Sequence, residues 1–280
     1  MVERLSELQE RLHSLHELHE IVGAMRAMAA ARLQEAQAAL AGTRAYADVI
    51  GDALAEALPL LPDALGRPVA GARAPAGTVL FMAEHGFTGA FNDELADAAG
   101  SASDEALFVI GSRGRVLLEE RGRTPIWTTE MATHAGAIAD TARRVAGALY
   151  HRFERGSLAA VAILFLRHRG GGRRTLERQS LLPVDLERFQ PPRSALPPLT
   201  NLAPPVLIGR LIEEYVFAEL AHAAMESFAS ENGARLAAMQ SARDKLDERL
   251  AELQGLERRL RQEQITDELL EIVTGAAATR

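Results

Sequence analysis

The chain has no cysteine, which excludes disulfides, thiolate metal sites and a cysteine nucleophile. Aromatic residues are scarce, at 5% of 280 positions. The abundance of Ala, Leu, Arg and Glu in their place points to long helices. Membrane-length apolar runs are missing too: Val161 to Leu166 falls far short of the ~20 residues that a bilayer requires. Nor is there an excess of positive charge. A net charge of −7 argues against broad attachment to nucleic acid or anionic lipid. The amino terminus opens on a charged amphipathic run, not a basic stretch followed by an apolar one, so no secretory signal is expected. What remains is a 48% hydrophobic composition, enough to bury a core in one domain with long appendages or in two small domains. Such a chain is soluble, or reaches a membrane only through its partners.

Proline is absent from residues 2–58, and that segment keeps a seven-residue repeat. With Leu5 at position a, the a series is Leu5, Leu12, His19, Arg26, Leu33, Leu40, Ala47 and Leu54. The d series is Leu8, Leu15, Val22, Ala29, Ala36, Thr43, Ile50 and Ala57. Only His19, Arg26 and Thr43 are not apolar, which is coiled-coil behaviour. A helix of this length spans roughly 85 Å at ~1.5 Å per residue and needs a partner helix.

The partner comes from the other end. Pro204 and Pro205 suit a helix start, because the first turn leaves its N–H groups unused. Apolar residues then recur at Leu236, Met239, Leu246, Leu250, Leu253, Leu260, Leu269 and Ile272, with a phase slip between Leu260 and Ile265. Between the helices the period changes. Thr78–Ala83, Ala106–Ile110 and Leu158–Leu166 are short apolar runs of the kind buried parallel strands carry. Helical stretches at about 91–99, 113–121 and 136–154 alternate with them, which implies an α/β layer with right-handed crossovers. Arg174–Leu182 reads as a last strand, paired as a hairpin across Arg169-Gly-Gly-Gly-Arg173. The expected fold class is α/β: a long antiparallel coiled coil of the N- and C-terminal helices plus a central Rossmann-like α/β domain. The parts are 1–58, an amino-terminal helix; 76–190, the α/β domain; and 205–276, a carboxy-terminal helix. Pro- and Gly-rich stretches at 59–77 and 189–205 join them.

Three motifs could carry chemistry. Glu84-His85-Gly86-Phe87-Thr88-Gly89 follows a strand and opens a helix, where a dinucleotide loop would lie. It has neither the G-x-G-x-x-G fingerprint nor the P-loop lysine, so a structural turn built on Gly86, Gly89 and Asn92 is the expected reading. His13, His16 and His19 are three apart and could place pairs of imidazoles on one helix face. However, the repeat draws His19 into the seam, and a solvated face with no metal is expected. Arg167-His-Arg-Gly-Gly-Gly-Arg-Arg174 could touch phosphate, but it has no interleaved aromatics and reads as a hairpin tip. No catalytic residue, cofactor site or metal site is predicted.

With these elements placed, the chain ends show a resemblance. Ile21-Val-Gly-Ala-Met-Arg-Ala-Met-Ala-Ala-Ala-Arg-Leu33 resembles the amino-terminal signature of gamma subunits of F-type ATP synthases, roughly I-T-K-A-M-K-M-V-A-A-A-K-L. Ser230-Glu through Arg235-Leu-Ala-Ala-Met239, followed by Arg261-Gln-Glu-Gln-Ile-Thr-Asp-Glu-Leu-Leu-Glu-Ile-Val-Thr-Gly-Ala-Ala-Ala278, is similar to the carboxy-terminal signature. Glu84-His-Gly-Phe-Thr-Gly-Ala-Phe-Asn92 is similar to D-R-G-L-C-G-x-x-N. The departures are Gly23 where the family has Lys, Lys245-Leu246 where Asn-Ala is common, and Arg258 where Asn is. They fit a divergent branch of the family, such as the alternative F-type ATPases.

The resemblance implies a non-catalytic central rotor shaft that couples proton or sodium-ion flow to ATP synthesis or hydrolysis. Its partners would be the alpha and beta subunits of the catalytic head, the epsilon subunit and the c-subunit ring. It would have no nucleic-acid partner and no membrane span of its own, and would lie on the cytoplasmic side of a bacterial inner membrane. By match with the signatures, torque would pass through Met25, Arg26, Arg261, Gln262, Ile265 and Thr266. Met25 would face Arg261 across the coil, and Leu269, Ile272, Val273, Gly275 and Ala276–Ala278 would run in a guiding sleeve. The alternatives from other classes are a nucleotide-using α/β enzyme with helical dimerisation arms and a static coiled-coil adaptor. Cofactor binding to the isolated chain would favour the enzyme, and co-purification with a hexameric ATPase the shaft.

Overall fold

The computed structural model describes residues 2–61, 75–100, 105–189 and 198–278, with side chains from 4 to 270. Parts of both joining stretches, and the side chains of Ile272, Val273 and Ala276–Ala278, lie outside the described residues, as does Gly275 beyond its helical backbone. The elements are α1 (Val2–Ala57), β1 (Ala76–Phe81), α2 (Phe91–Ala98), β2 (Ala106–Ile110), α3 (Ser112–Glu120), β3 (Trp127–Thr129), α4 (Ile138–Glu154), β4 (Ala160–His168), β5 (Arg174–Leu182) and α5 (Pro204–Ala278). All sixteen a and d positions of α1 are buried or half-buried, His19, Arg26 and Thr43 included. Contacts divide the chain into two compact units: residues 1–28 with 236–280, and residues 29–235.

In the first unit α1 and α5 pair antiparallel in a constant register. Gln9 donates to Glu257 at 3.3 Å, His19 lies 3.0 Å from Asp247, and Arg26 donates to Gln240 at 3.2 Å. Each step along α1 is matched by an equal step back along α5. Leu8, Leu12 and Leu250 form the buried layer, and Leu15, Leu253 and Leu260 pack against it. The far end departs from this. Leu269, predicted in the apolar recurrence, is 58% exposed, and Ile265 is 53% exposed, because the register that sets Gln9 beside Glu257 runs past Val2 before it reaches Leu269.

The second unit is a five-stranded sheet of order β3-β2-β1-β4-β5. β1 pairs parallel with β2 and β4, β2 pairs parallel with β3, and β5 returns antiparallel on β4. Both sheet faces are covered, which explains the near-continuous apolar runs in the parallel strands. Val79, Phe81, Phe108, Ile110, Ile163 and Phe165 pack against α4, α5 and Ala36 of α1. Leu80, Met82, Leu107, Val109, Leu164 and Leu166 pack with Phe91 and Leu95 of α2 and Leu118 of α3. The short β3 does not follow from the apolar pattern: it has three residues, none fully buried, and is held by its pairing with β2. Every residue of α5 from Ala218 to Arg235 is buried. This stretch is enclosed on all sides, a condition that normally selects an entirely apolar helix. Instead it carries Glu219, His222, Glu226, Ser227, Ser230, Glu231, Asn232 and Arg235.

Candidate functional site

An open α/β sheet offers a ligand crevice at the carboxyl ends of its strands, where strand order reverses. Here that point lies between β1 and β4, and α5 fills it. Ser227 Oγ donates to Phe81 O at 2.7 Å, at the end of β1. About two turns further on, Ala234 packs into the cluster of Leu80, Leu164 and Leu166. Arg235 spends all three guanidinium nitrogens inside the fold. Nη2 donates to Glu231 Oε1 at 2.6 Å and to His85 O at 3.2 Å, Nε to Gly86 O at 3.2 Å, and Nη1 to Asn232 Oδ1 at 3.1 Å. The Arg235 and Glu231 side chains are 6% and 4% exposed, so this is a buried ion pair whose other donors go to two backbone carbonyls and the Asn232 side chain. Burial pushes the Glu231 carboxyl up, against the opposing pull of Arg235.

The loop after β1 is fixed from its other side as well. Asn92 Oδ1 accepts from Ala83 N at 2.8 Å. Glu84 Oε2 accepts from Ser112 N at 3.0 Å and Met131 N at 2.8 Å, so one carboxylate joins the loops that follow β1, β2 and β3. Burial alone would raise the Glu84 carboxyl, but these bonds to its charged form outweigh burial and hold it below the ordinary range. Of the two glycines singled out in the sequence, Gly89 has φ 57°, a left-handed conformation that suits glycine. Gly86 has no positive φ, and a Cβ there would meet open space; its part is the carbonyl that Arg235 grips. Phe87 carries the loop's other left-handed residue, at φ 62°, and is exposed. Two glycines that sequence reasoning passed over are tighter. A Cβ on Gly111 would lie 2.4 Å from Met82 O, and one on Gly114 2.2 Å from Met82 Cβ. The spacing Gly111-x-x-Gly114 at a strand-to-helix turn was the available signal.

The basic hairpin is also occupied internally. Gly170, Gly171 and Gly172 all have positive φ, as a tight tip requires. Arg174 makes two hydrogen bonds to Glu94, with Nε at 2.9 Å, and Arg169 donates to Thr175 and Glu177. The histidines of α1 go separate ways: His13 lies 3.4 Å from Glu17, His16 Nδ1 2.7 Å from Leu12 O, and His19 beside Asp247. Among the described residues no group of three acidic or histidine side chains could hold a metal ion.

The six residues matched to the signatures fall at two separate levels of the coil. Met25 and Arg26 are half-buried at the level of Gln240. Arg261 is exposed, paired with Glu257 at 2.7 Å. Gln262 is exposed and its carbonyl accepts from Thr266 Oγ1 at 2.8 Å. Twenty-one residues separate Gln240 from Arg261, about 30 Å at ~1.5 Å per residue. Met25 therefore does not face Arg261 across the coil; the constant antiparallel register places it near Ser241. The outward side of α1 in this unit has an apolar stripe at Leu18, Ile21, Met25 and Met28, with Ile21 57% and Met28 54% exposed. Spacings of three and four keep these side chains on one face.

The profile of the family described as ATP synthase matches residues 4–279. The ATP synthase gamma chain of Anaeromyxobacter dehalogenans (strain 2CP-C) is 29% identical over 271 residues, covering 89% of this chain and 90% of that one. The ATP synthase gamma chain of Salinibacter ruber is 27% identical over 276 residues, with 89% of each chain covered. Among solved structures, a chain of the Euglena gracilis mitochondrial ATP synthase (OSCP/F1/c-ring) aligns at TM-score 0.67 and 15% identity, covering 100% of this chain and 95% of its own. A chain from the rotor of the same source aligns at TM-score 0.62 and 13% identity, over 95% and 100%. At such identities these structures establish the likeness of fold.

Proposed function

The chain belongs to the ATP synthase family, and from that premise we propose that it is the central rotor shaft of a rotary F-type ATP synthase, without an active site of its own. In this reading residues 1–58 and 205–276 are the shaft helices and 76–190 the foot. The shaft turns inside a head of alpha and beta subunits, the foot meets epsilon and the c-subunit ring, and the ring's protons or sodium ions drive rotation. Among the described residues no helix is long and apolar enough to cross a membrane. In this reading the subunit is peripheral, on the cytoplasmic side of a bacterial inner membrane.

The observation that carries this reading is the coil unit. α1 and α5 satisfy each other along one seam, yet leave the stripe Leu18–Ile21–Met25–Met28 facing outward. An apolar stripe of this kind serves a partner that slides past it, because non-directional contact leaves few hydrogen bonds to renew at each step. The enzyme alternative loses its site, since α5 occupies the crevice that a nucleotide would need. Torque is assigned to two levels: Met25 and Arg26 at one, and Arg261, Gln262, Ile265 and Thr266 at the other. Arg261 is exposed and, among the described residues, is held by a surface pair with Glu257, worth about 0–1 kcal/mol, so it can exchange Glu257 for a partner carboxylate and release it again. The test is ion pumping per ATP hydrolysed by the reconstituted native complex with Arg261→Ala and Gln262→Ala together. Coupling should fall while the subunit stays folded and assembled. Parental coupling would remove these two residues from the torque path, and a complex that purifies without this chain would remove the shaft reading itself.

A further inference from the structure

Within the second unit a buried polar cluster joins α1, α5 and the β4–β5 hairpin, and the shaft role makes no use of it. His222 and Glu226 are one helical turn apart on α5, with side chains 7% and 12% exposed. Their hydrogen positions follow from the neighbours. Thr43 Oγ1 lies 2.9 Å from Leu40 O; a carbonyl only accepts, so the single hydroxyl proton of Thr43 goes there. The same oxygen lies 3.2 Å from His222 Nδ1 and has only lone pairs left to offer, so Nδ1 carries a hydrogen. In the neutral ring Nε2 is then a bare acceptor, and it faces Glu226 Oε1 at 3.8 Å. At 3.8 Å the two acceptors share no hydrogen bond, and a proton added to Nε2 would turn the contact into a charged pair.

We propose that His222 and Glu226 form a buried site for a single proton, whose occupancy decides whether Glu226 pairs with His222 or with Arg167. Arg167 is the competitor: its Nε lies 3.1 Å from Glu226 Oε1, and its Nη1 3.4 Å from Glu177 Oε1. When the proton is present on Nε2, His222 and Glu226 form an ion pair, and Arg167 turns to Glu177, which Arg169 also reaches at 3.4 Å. When the proton leaves, Glu226 is left to Arg167. The charged groups facing the site are Arg44 and Asp48 from α1, Glu219 from α5, Arg167 from β4, and Glu177 and Arg169 from the hairpin. With Glu226 these are three cations and four anions, so an added proton on His222 brings the cluster to neutrality. Burial lowers the proton affinity of His222, with Arg44 and Arg167 adding to it. Burial raises that of Glu226, against Arg167. The two affinities are thereby drawn together, as a shared proton requires. The site thus couples proton uptake to which element of the foot the carboxylate of α5 holds.

The test is a titration of the full chain by nitrogen-15 NMR of its histidine rings, with His222→Gln to assign the resonance. The expected results are an Nδ1–H tautomer at high pH and proton uptake below the ordinary histidine value. In Glu226→Gln, uptake should move down further by about one pH unit, the lower end for loss of an opposite charge at this range. In Arg167→Met it should move up, because Glu226 has lost its rival partner. Circular dichroism confirms that each variant is folded; if one is not, the opposite shift expected of the other decides alone. A ring that titrates at the same pH in parent and variants, or an Nε2–H tautomer in the neutral form, overturns the proposal.

Discussion

Arg235→Met tests whether the filled crevice holds the fold together. The substitution removes an ion pair at 2.6 Å between side chains that are 6% and 4% exposed, together with the donors to His85 O and Gly86 O. Methionine keeps most of the side-chain volume, so the loss is mainly electrostatic. Removing one partner of a buried pair costs about 3–5 kcal/mol, a large share of the 5–15 kcal/mol typical of a folded protein. Glu231 is already pushed up by burial and held back by Arg235; without Arg235 it should be pushed up further. A carboxyl with a raised folded-state value contributes stability that is present below its unfolded value and lost as pH rises through the folded one. The deficit of Arg235→Met should therefore be larger at pH 8 than at pH 5. Adding Glu231→Gln should recover about 1–2 kcal/mol, since the stranded charge is gone while the two carbonyls still lack their donors. Urea unfolding of the full chain, followed by circular dichroism and by a probe near Phe87, measures all three proteins. A single substitution costing less than about 1 kcal/mol, or a double variant no more stable than the single, would refute the reasoning.

Acidification should destabilise the foot through His168 and His222. Burial holds both below their ordinary 6.5, so their contribution is present above pH 6.5 and lost as pH falls through the lower folded values. The urea midpoint should drop between pH 7.5 and 5.5, and His168→Gln with His222→Gln should flatten that slope. Glu226 is raised by burial and acts in the opposite sense, so the difference between parent and variant isolates the histidines. Gly111→Ala should cost several kcal/mol in the same assay, because its Cβ would press to 2.4 Å on a backbone oxygen at φ 111°.

Legibility in the sequence followed how local each cause is. The seven-residue repeat of α1 depends on spacing alone, and even its polar a and d members proved half-buried. The runs Thr78–Ala83, Ala106–Ile110 and Leu158–Leu166 were readable because two-sided burial demands continuous apolarity. Trp127–Thr129 was not, because only its pairing with β2 makes it a strand. The crevice was half legible: the missing phosphate-loop residues argued against a nucleotide, but nothing local announces that α5 takes its place. Ser227, Glu231 and Arg235 recur every four residues and look like a solvated helix face. Their burial depends on carbonyls of Phe81, His85 and Gly86 more than 140 residues away in sequence. The same non-local limit applies to the coil, where matching signatures supplied residues but not the register that separates Met25 from Arg261.

Gly23 shows how that register turns a departure from the family signature into a measurable quantity. Glycine inside a helix costs about 1 kcal/mol relative to alanine, through backbone freedom lost on folding. Where packing requires a glycine, replacing it costs more than this gain, as at Gly111. A Cβ on Gly23 meets nothing within 4 Å, and its φ is not positive. No contact among the described residues therefore asks for glycine there. Gly23→Ala should raise stability by about 1 kcal/mol, and the melting temperature by about 2–4 °C for a chain of this size class. Gly255→Ala in α5, where a Cβ also meets open space, should behave alike and serves as the control. Gly23 lies between His19 and Arg26, the two polar a positions, so the gain should appear as slower amide exchange across residues 19–30. If Gly23→Ala gives no gain while Gly255→Ala does, the backbone at Gly23 departs from a regular helix, and the argument from open space fails at that position. If both gain equally, the cost of Gly23 to the isolated chain is intrinsic. Any benefit of the glycine must then come from outside the chain, beside the exposed stripe of Ile21, Met25 and Met28.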